Sequence, residues 1–234
     1  MMRNRRRGQM IVACALACCW SVPAFADQVT LDWETAFSVE SAARDVYLDA
    51  HFLGSDGASH RLQLWRHGKE FLHRRTDETL DLYLSQAGKK GDYAYRLVDH
   101  RRRVSMVVNR NQLYRIGVFS DWFGLAHVLD RPKTEFVVHV VPPLPKEKPT
   151  GCSWRLLVRS GKGAPDHSRI CWSAQWGLPL AIRSRGPKGE WIERFAVDRV
   201  EGISPSVDGL AVPSLPDDYV SFDAGHEIDP KEGD

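Results

Sequence analysis

The sequence predicts a mainly β protein of the α+β type, built on a curved antiparallel sheet with few covering helices. Three observations carry this. Short apolar–polar alternations recur along the chain, and turn residues separate them about every 8–12 residues, the pattern of an antiparallel meander. Only two segments space their apolar residues as a helix would. No strand–helix–strand unit of about 30 residues is present, which argues against a doubly wound parallel sheet.

Taken in order, Asp32 to Ala43 reads as a short opening helix with Trp33, Ala36 and Phe37 at helical spacing. From Asp45 to Phe52, Val46, Leu48, Ala50 and Phe52 fall on one face and Tyr47, Asp49 and His51 on the other; Gly54-Ser55-Asp56-Gly57 then turns the chain. Leu62, Leu64 and Trp65 make a second strand, ended by His67-Gly68-Lys69, and Phe71 to Thr76 a less regular third. Leu80, Leu82 and Leu84 alternate with Asp81, Tyr83 and Ser85. After the turn at 87–91, Tyr93, Tyr95 and Leu97 alternate again, followed by Val104, Met106 and Val108 and by Leu113 to Gly117. Ser120 is the expected N-cap of a second helix, Asp121 to Leu129, with Trp122, Phe123, Ala126 and Leu129 along one side and Arg131-Pro132 as its stop. Strands resume at Phe136 to Val141. The proline-rich run Pro142 to Pro149 leaves no room for sheet hydrogen bonds and reads as an extended surface loop. Trp154–Val158, Ile170–Ser173, Leu180–Ser184 and Trp191–Val200 supply four more strands.

The first 26 residues read as an export signal. Arg3 to Arg7 is the basic region, Met10 to Trp20 the apolar run, and Ala24-Phe25-Ala26 the small–x–small cleavage pattern. The apolar run is too short to span a hydrocarbon core of about 30 Å. Of the variants on this theme, Ile11-Val12-Ala13-Cys14 is the nearest match to a lipoprotein signal but has almost no apolar region before it, and Arg6-Arg7 lacks the residues that follow a twin-arginine pair. The expected location is the periplasm, with residues 27–222 as one domain and 223–234 as an acidic flexible tail. The whole chain has 32 Lys+Arg and 30 Asp+Glu; removing the four arginines of the signal leaves 28 basic against 30 acidic residues, a formal charge of −2. That balance speaks against a nucleic-acid binder. Cleavage also leaves just two cysteines, Cys152 and Cys171, an even pair expected to form a structural disulfide in an oxidising compartment.

No motif in the chain announces a reaction. A G-x-S-x-G elbow, an H-E-x-x-H, a P-loop and a dinucleotide-binding glycine fingerprint are all missing, and no cofactor is indicated. The nine histidines are scattered without ligand spacing, so surface and hairpin-end roles are favoured over a metal site. Arg74-Arg75 and Arg101-Arg102-Arg103 form two local basic clusters that could face an anionic headgroup, although such clusters commonly are solvated turn charges. Seven tryptophans remain after the signal; on a strongly curved sheet they either fill the core or line an apolar cavity.

The order of these elements resembles the LolA/LolB-like lipoprotein-carrier superfamily, which includes the RseB-type periplasmic sensors. The resemblance runs through Arg66-His67-Gly68-Lys69-Glu70-Phe71, the helix Trp122 to Leu129, Val140-Val141, the segment Trp172 to Leu180 with its Gly177-Leu178-Pro179, and Leu215-Pro216-Asp217-Asp218-Tyr219-Val220. It implies a half-barrel with an apolar concave face that holds lipid. The Cys152/Cys171 pair and the Pro142–Pro149 loop have no counterpart in it. On this reading the chain is a non-enzymatic periplasmic protein that binds a lipid, a lipoprotein acyl chain or another apolar ligand, with Leu64, Phe71, Leu82, Tyr95, Met106, Trp122 and Phe123 lining the cavity. The alternative is a sensor or protein-interaction module that docks an envelope protein and needs no cavity.

Overall fold

The alternation of Val46, Leu48 and Ala50 with Tyr47, Asp49 and His51 forms, in a computed structural model of the protein, the strand β2 (Asp45–Leu53), with the aliphatic residues buried. The structure describes residues 29–86, 93–109, 121–145, 147, 151–160, 166–204 and 212–223. The signal segment, the 87–91 turn, the expected strand 113–117, Ser120 and the tail from 224 onward lie outside them.

A meander follows β2: β3 (Ser59–His67), β4 (Phe71–Thr76), β5 (Leu80–Gln86), β6 (Tyr93–Asp99) and β7 (Val104–Asn109). A second meander consists of β8 (Phe136–Val140), β9 (Ser153–Arg159), β10 (Asp166–Ser173), β11 (Leu178–Arg185) and β12 (Trp191–Gly202). Two short edge strands, β1 (Thr30–Leu31) and β13 (Val220–Asp223), complete one open 13-stranded sheet in the order β1-β8-β9-β10-β11-β12-β2-β3-β4-β5-β6-β7-β13. The two meanders meet where β12 pairs with β2, Phe195 opposite Phe52 and Val200 opposite Leu48. Every pair is antiparallel except β13 on β7, which is parallel. The half-barrel expected from the sequence is therefore present, with one parallel edge.

Both helices are shorter than their sequence patterns suggest. The first, α1 (Trp33–Ala36), is capped by Asp32, which accepts from the Thr35 N–H at 2.8 Å, and stops at Phe37 instead of continuing to Ala43. The second, α2 (Trp122–His127), takes Asp121 as its cap through the Gly124 N–H at 2.8 Å. It ends at Val128, which lies in the left-handed region at φ 54°, so Leu129 lies beyond the helix. Both helices cover the concave side. There α2 contributes Leu125 and Ala126 to a core with Val46, Leu48, Leu62, Leu64, Leu72, Leu84, Tyr95 and Val108. Trp33, Ala36 and Phe37 of α1 pack with Val138, Leu157, Ile170 and Trp172 in a second core.

On the convex side Cys152 and Cys171 form the expected disulfide, their Cα atoms 5.4 Å apart, beside Trp154 and Val141. The same face pins the proline-rich loop. Glu147 is buried and accepts from Arg169 (2.8 and 3.1 Å) and Arg183 (3.2 Å), while Arg169 also donates to the Pro142 carbonyl. Burial pushes the Glu147 carboxyl up, but these partners outweigh it and the group stays below its usual range.

Candidate functional site

Strand register sorts the concave face of the first meander into rows. One row runs Val46, Arg66, Leu72, Leu84, Tyr95, Val108, and its neighbour runs Leu48, Leu64, Arg74, Leu82, Leu97, Met106. The first row lies beneath α2 and is closed to water. In the second, Leu48 and Leu64 are fully buried, whereas Arg74, Leu82, Leu97 and Met106 are half-buried and continue toward Leu80, which is 37% exposed. The concave face is thus shut under the helix and open toward the β4–β5 hairpin.

An arginine organises the shut part. Arg66 is 2% exposed, and its guanidinium donates to the carbonyls of Ala43 (3.0 Å), Trp176 (2.7 Å) and Ala126 (3.1 Å). Each carbonyl belongs to a different segment lying over the sheet, so one side chain ties three covering pieces to β3. Burial lowers the Arg66 pKa to about 10, leaving it charged at neutral pH. His127 stands beside it, Nδ1 being 2.8 Å from the guanidinium and 2.6 Å from the Gly177 carbonyl. One ring nitrogen cannot serve both at once, and in either neutral tautomer it serves one. Gly177 turns at φ 60°, which presents that carbonyl to His127.

The open part of the second meander is a groove of about 460 Å³, within the range of small-molecule sites. Leu157, Ile170 and Ile182 line its floor, Leu129 and Pro132 its flank, and Arg159, Arg185 and Arg194 its margin with Asp130 and Asp166. Two of these cations are engaged: Arg159 pairs with Asp166, and Arg194 donates to Ser184 Oγ at 2.6 Å. A second groove, about 350 Å³, lies between α1 and Phe123.

These positions redistribute the expected lining. Leu64 and Tyr95 belong to the closed core, while Leu82, Met106 and Trp122 pack at its half-open margin. Phe123 joins the α1 core and lines the smaller groove. Phe71 lies on the opposite, convex face, because Leu72 is the inward residue of β4. The arginine clusters also split. Arg74 faces inward and Arg75 outward, where it bonds Asp81 at 2.8 and 3.1 Å. Arg101 and Arg102 are exposed on the β6–β7 turn, and Arg103 pairs with Asp218 at 2.5 Å.

Sequence reasoning missed the convex cluster around Asp81. This carboxylate is fully buried and accepts from His73 Nε2 (2.9 Å), Arg75 and His100 Nε2 (2.7 Å). Burial raises its pKa, yet the three donors prevail and hold it far below the carboxylate range. Tyr219 donates to His100 Nδ1 at 2.8 Å, and the His73 ring is stacked between Trp65 and Tyr83 at 4.6 and 4.2 Å. Among the described residues no group of three or more His, Cys, Asp or Glu could hold a metal ion. None of the described helices is long and apolar enough to cross a membrane.

Two solved structures are among those the chain is similar to. One is the crystal structure of MucB, at 15% identity and a TM-score of 0.41, over 79% of this chain and 62% of that one. The other is the MucA/MucB complex from Pseudomonas aeruginosa, at 14% identity and a TM-score of 0.41, over 76% and 59%. The chain therefore spans about six-tenths of the length of the structures it resembles. No family model matches it, and no curated protein does.

Proposed function

We propose that this is an exported, periplasmic, non-enzymatic protein whose half-barrel binds the apolar part of a lipid or of a lipoprotein acyl chain. The observation that supports it most directly is the groove of about 460 Å³ over Leu157, Ile170 and Ile182, which gives the concave face an apolar floor and an arginine-bearing margin. The half-open row Leu82–Leu97–Met106 adds apolar surface on the other side of α2. Covering such surface stabilises a complex by roughly 25 cal/mol per Å² before the costs of association. Native mass spectrometry of protein purified from the periplasm, with lipid extraction of the same sample, tests the reading. An acyl species near one per chain is expected, with its occupancy reduced several-fold in Ile182→Trp, which narrows the groove. A clean apo mass from fresh material, together with no uptake of added fatty acid, would reject it.

A protein-docking role has its own support at the edge of the second meander. Among the described residues the five-residue β8 is covered on this side by the two residues of β1 and by Val29, whose carbonyl accepts from the Val140 N–H, and Val137 and Val140 are 42% and 40% exposed there. Exposed strand edges accept added strands. Val137→Lys should abolish co-purification of an envelope protein if it docks at this edge; unchanged capture would place the contact elsewhere.

A further inference from the structure

We propose that Arg74 anchors the anionic group of the ligand, so that the half-barrel selects an acyl chain bearing a carboxylate or phosphate over a neutral lipid. The inference rests on the ligand-binding reading above and names the ligand class within it.

The argument begins with register. Arg74 stands on β4 directly between Leu64 and Leu82, inward, in the row where the concave face passes from closed to half-open. Its guanidinium makes no hydrogen bond or ion pair with any other side chain or carbonyl among the described residues. The two fully buried arginines are engaged, Arg66 on three carbonyls and Arg169 on Glu147, and the outward Arg75 bonds Asp81. The sheet is thus capable of engaging arginines, whereas the donors of Arg74 bond no protein group among the described residues.

A half-buried guanidinium without a fixed partner gives up part of its hydration, a cost that a leucine or methionine in the same row would not carry. Burial lowers the pKa of Arg74, and Asp130 is the carboxylate that acts against this from a distance. Asp130 is also in the wall of the groove, which brings the Arg74 guanidinium within electrostatic reach of that groove. Beside Arg74 lie Leu82, Leu97 and Met106, half-buried and apolar. The surroundings therefore match an amphiphile: a chain on the aliphatic row and an acidic head on a planar cation that can bond it bidentately.

The test uses three ligands with one oleoyl chain and different heads: oleate, oleoyl lysophosphatidate and mono-oleoylglycerol. Each is titrated below its aggregation concentration into the purified mature protein, with tryptophan fluorescence as the signal. At least one anion should bind about tenfold tighter than the neutral lipid. Preference for oleate alone assigns a carboxylate, and preference for lysophosphatidate alone a phosphate. Arg74→Met should erase the preference while leaving the mono-oleoylglycerol affinity unchanged, whereas Arg102→Met on the exposed turn should change neither. Thermal melting gives an independent readout. Arg74→Met should melt at or above wild type, and the anion should raise the wild-type Tm more than that of the variant. Equal binding of anionic and neutral lipids, or an anion preference that survives Arg74→Met, overturns the anchor and leaves the ligand-binding reading standing. If none of the three binds wild type, that reading falls and the anchor with it.

Discussion

His127 resists protonation well into the acid range, because burial and then the nearby Arg66 charge bring its pKa down to about 4. In the unfolded chain a histidine titrates near 6.5. Between those values the unfolded state takes up a proton that the folded state refuses, so stability falls as the pH drops from about 6.5 to about 4. The shift corresponds to a loss of about 3 kcal/mol over that window. His51 and His60, whose values are raised by Asp198 and Asp77, act in the opposite sense, which makes a variant comparison necessary. Urea unfolding at pH 7 and pH 4.5 should show a smaller loss for His127→Gln than for wild type; parallel losses would mean that the histidine does not set this slope. The sequence half-disclosed these residues. Leu62, Leu64, Arg66 and Leu72, Arg74, Thr76 each place an arginine on the inward period of a strand, a break that alternation alone can reveal. Phe71 faces outward although the sequence also suits it inward, since Phe71-Leu72-His73 offers two adjacent apolar residues and no periodic cue to choose between them. Asp81 was hidden altogether: its donors come from β4, from the β6–β7 turn and, through His100, from Tyr219.

At the scale of elements, strands were readable and helix ends were not. Period-2 patterning is local, so β2 to β7 emerge within three residues of their expected limits. The helices stop early for reasons outside their own sequence. Val128 adopts a left-handed conformation that a β-branched residue disfavours, and it packs against the core of the first meander. The disulfide is the element-level feature with the clearest energetic consequence. It joins β10 to the residue preceding β9 across a separation of 19 residues, for which the chain-entropy model gives about 3 kcal/mol. The double substitution Cys152→Ser with Cys171→Ser should lower stability by about that amount in urea unfolding, and added reductant should then have no further effect. Wild-type stability that is insensitive to reductant under unfolding conditions would contradict it. Glu147 fixes the proline-rich loop to the same face, so this corner of the convex surface is held both covalently and by buried charge.

For the molecule as a whole, the open sheet explains how one chain can be both well packed and receptive. Helix α2 closes the concave face over the first meander, and the second meander, partly covered by α1, keeps its groove. Overall architecture was legible because it follows from many repeated local signals. The position of the groove was not, because it depends on where α2 ends relative to β9–β12, and no short segment encodes that distance.

The joint between β2 and β12 has a consequence for the order in which the protein is built. Within each meander, neighbours in space are neighbours in sequence, so hairpins can form as soon as their residues are available. The joint instead unites residues 45–53 with 191–202 across about 140 intervening residues. A chain emerging N-terminus first must therefore carry an unmatched β2 edge until nearly all of it has appeared. During that interval the edge is the place most exposed to pairing with a stranger, and the final zippering of β12 onto β2 marks the moment at which the protein stops being vulnerable.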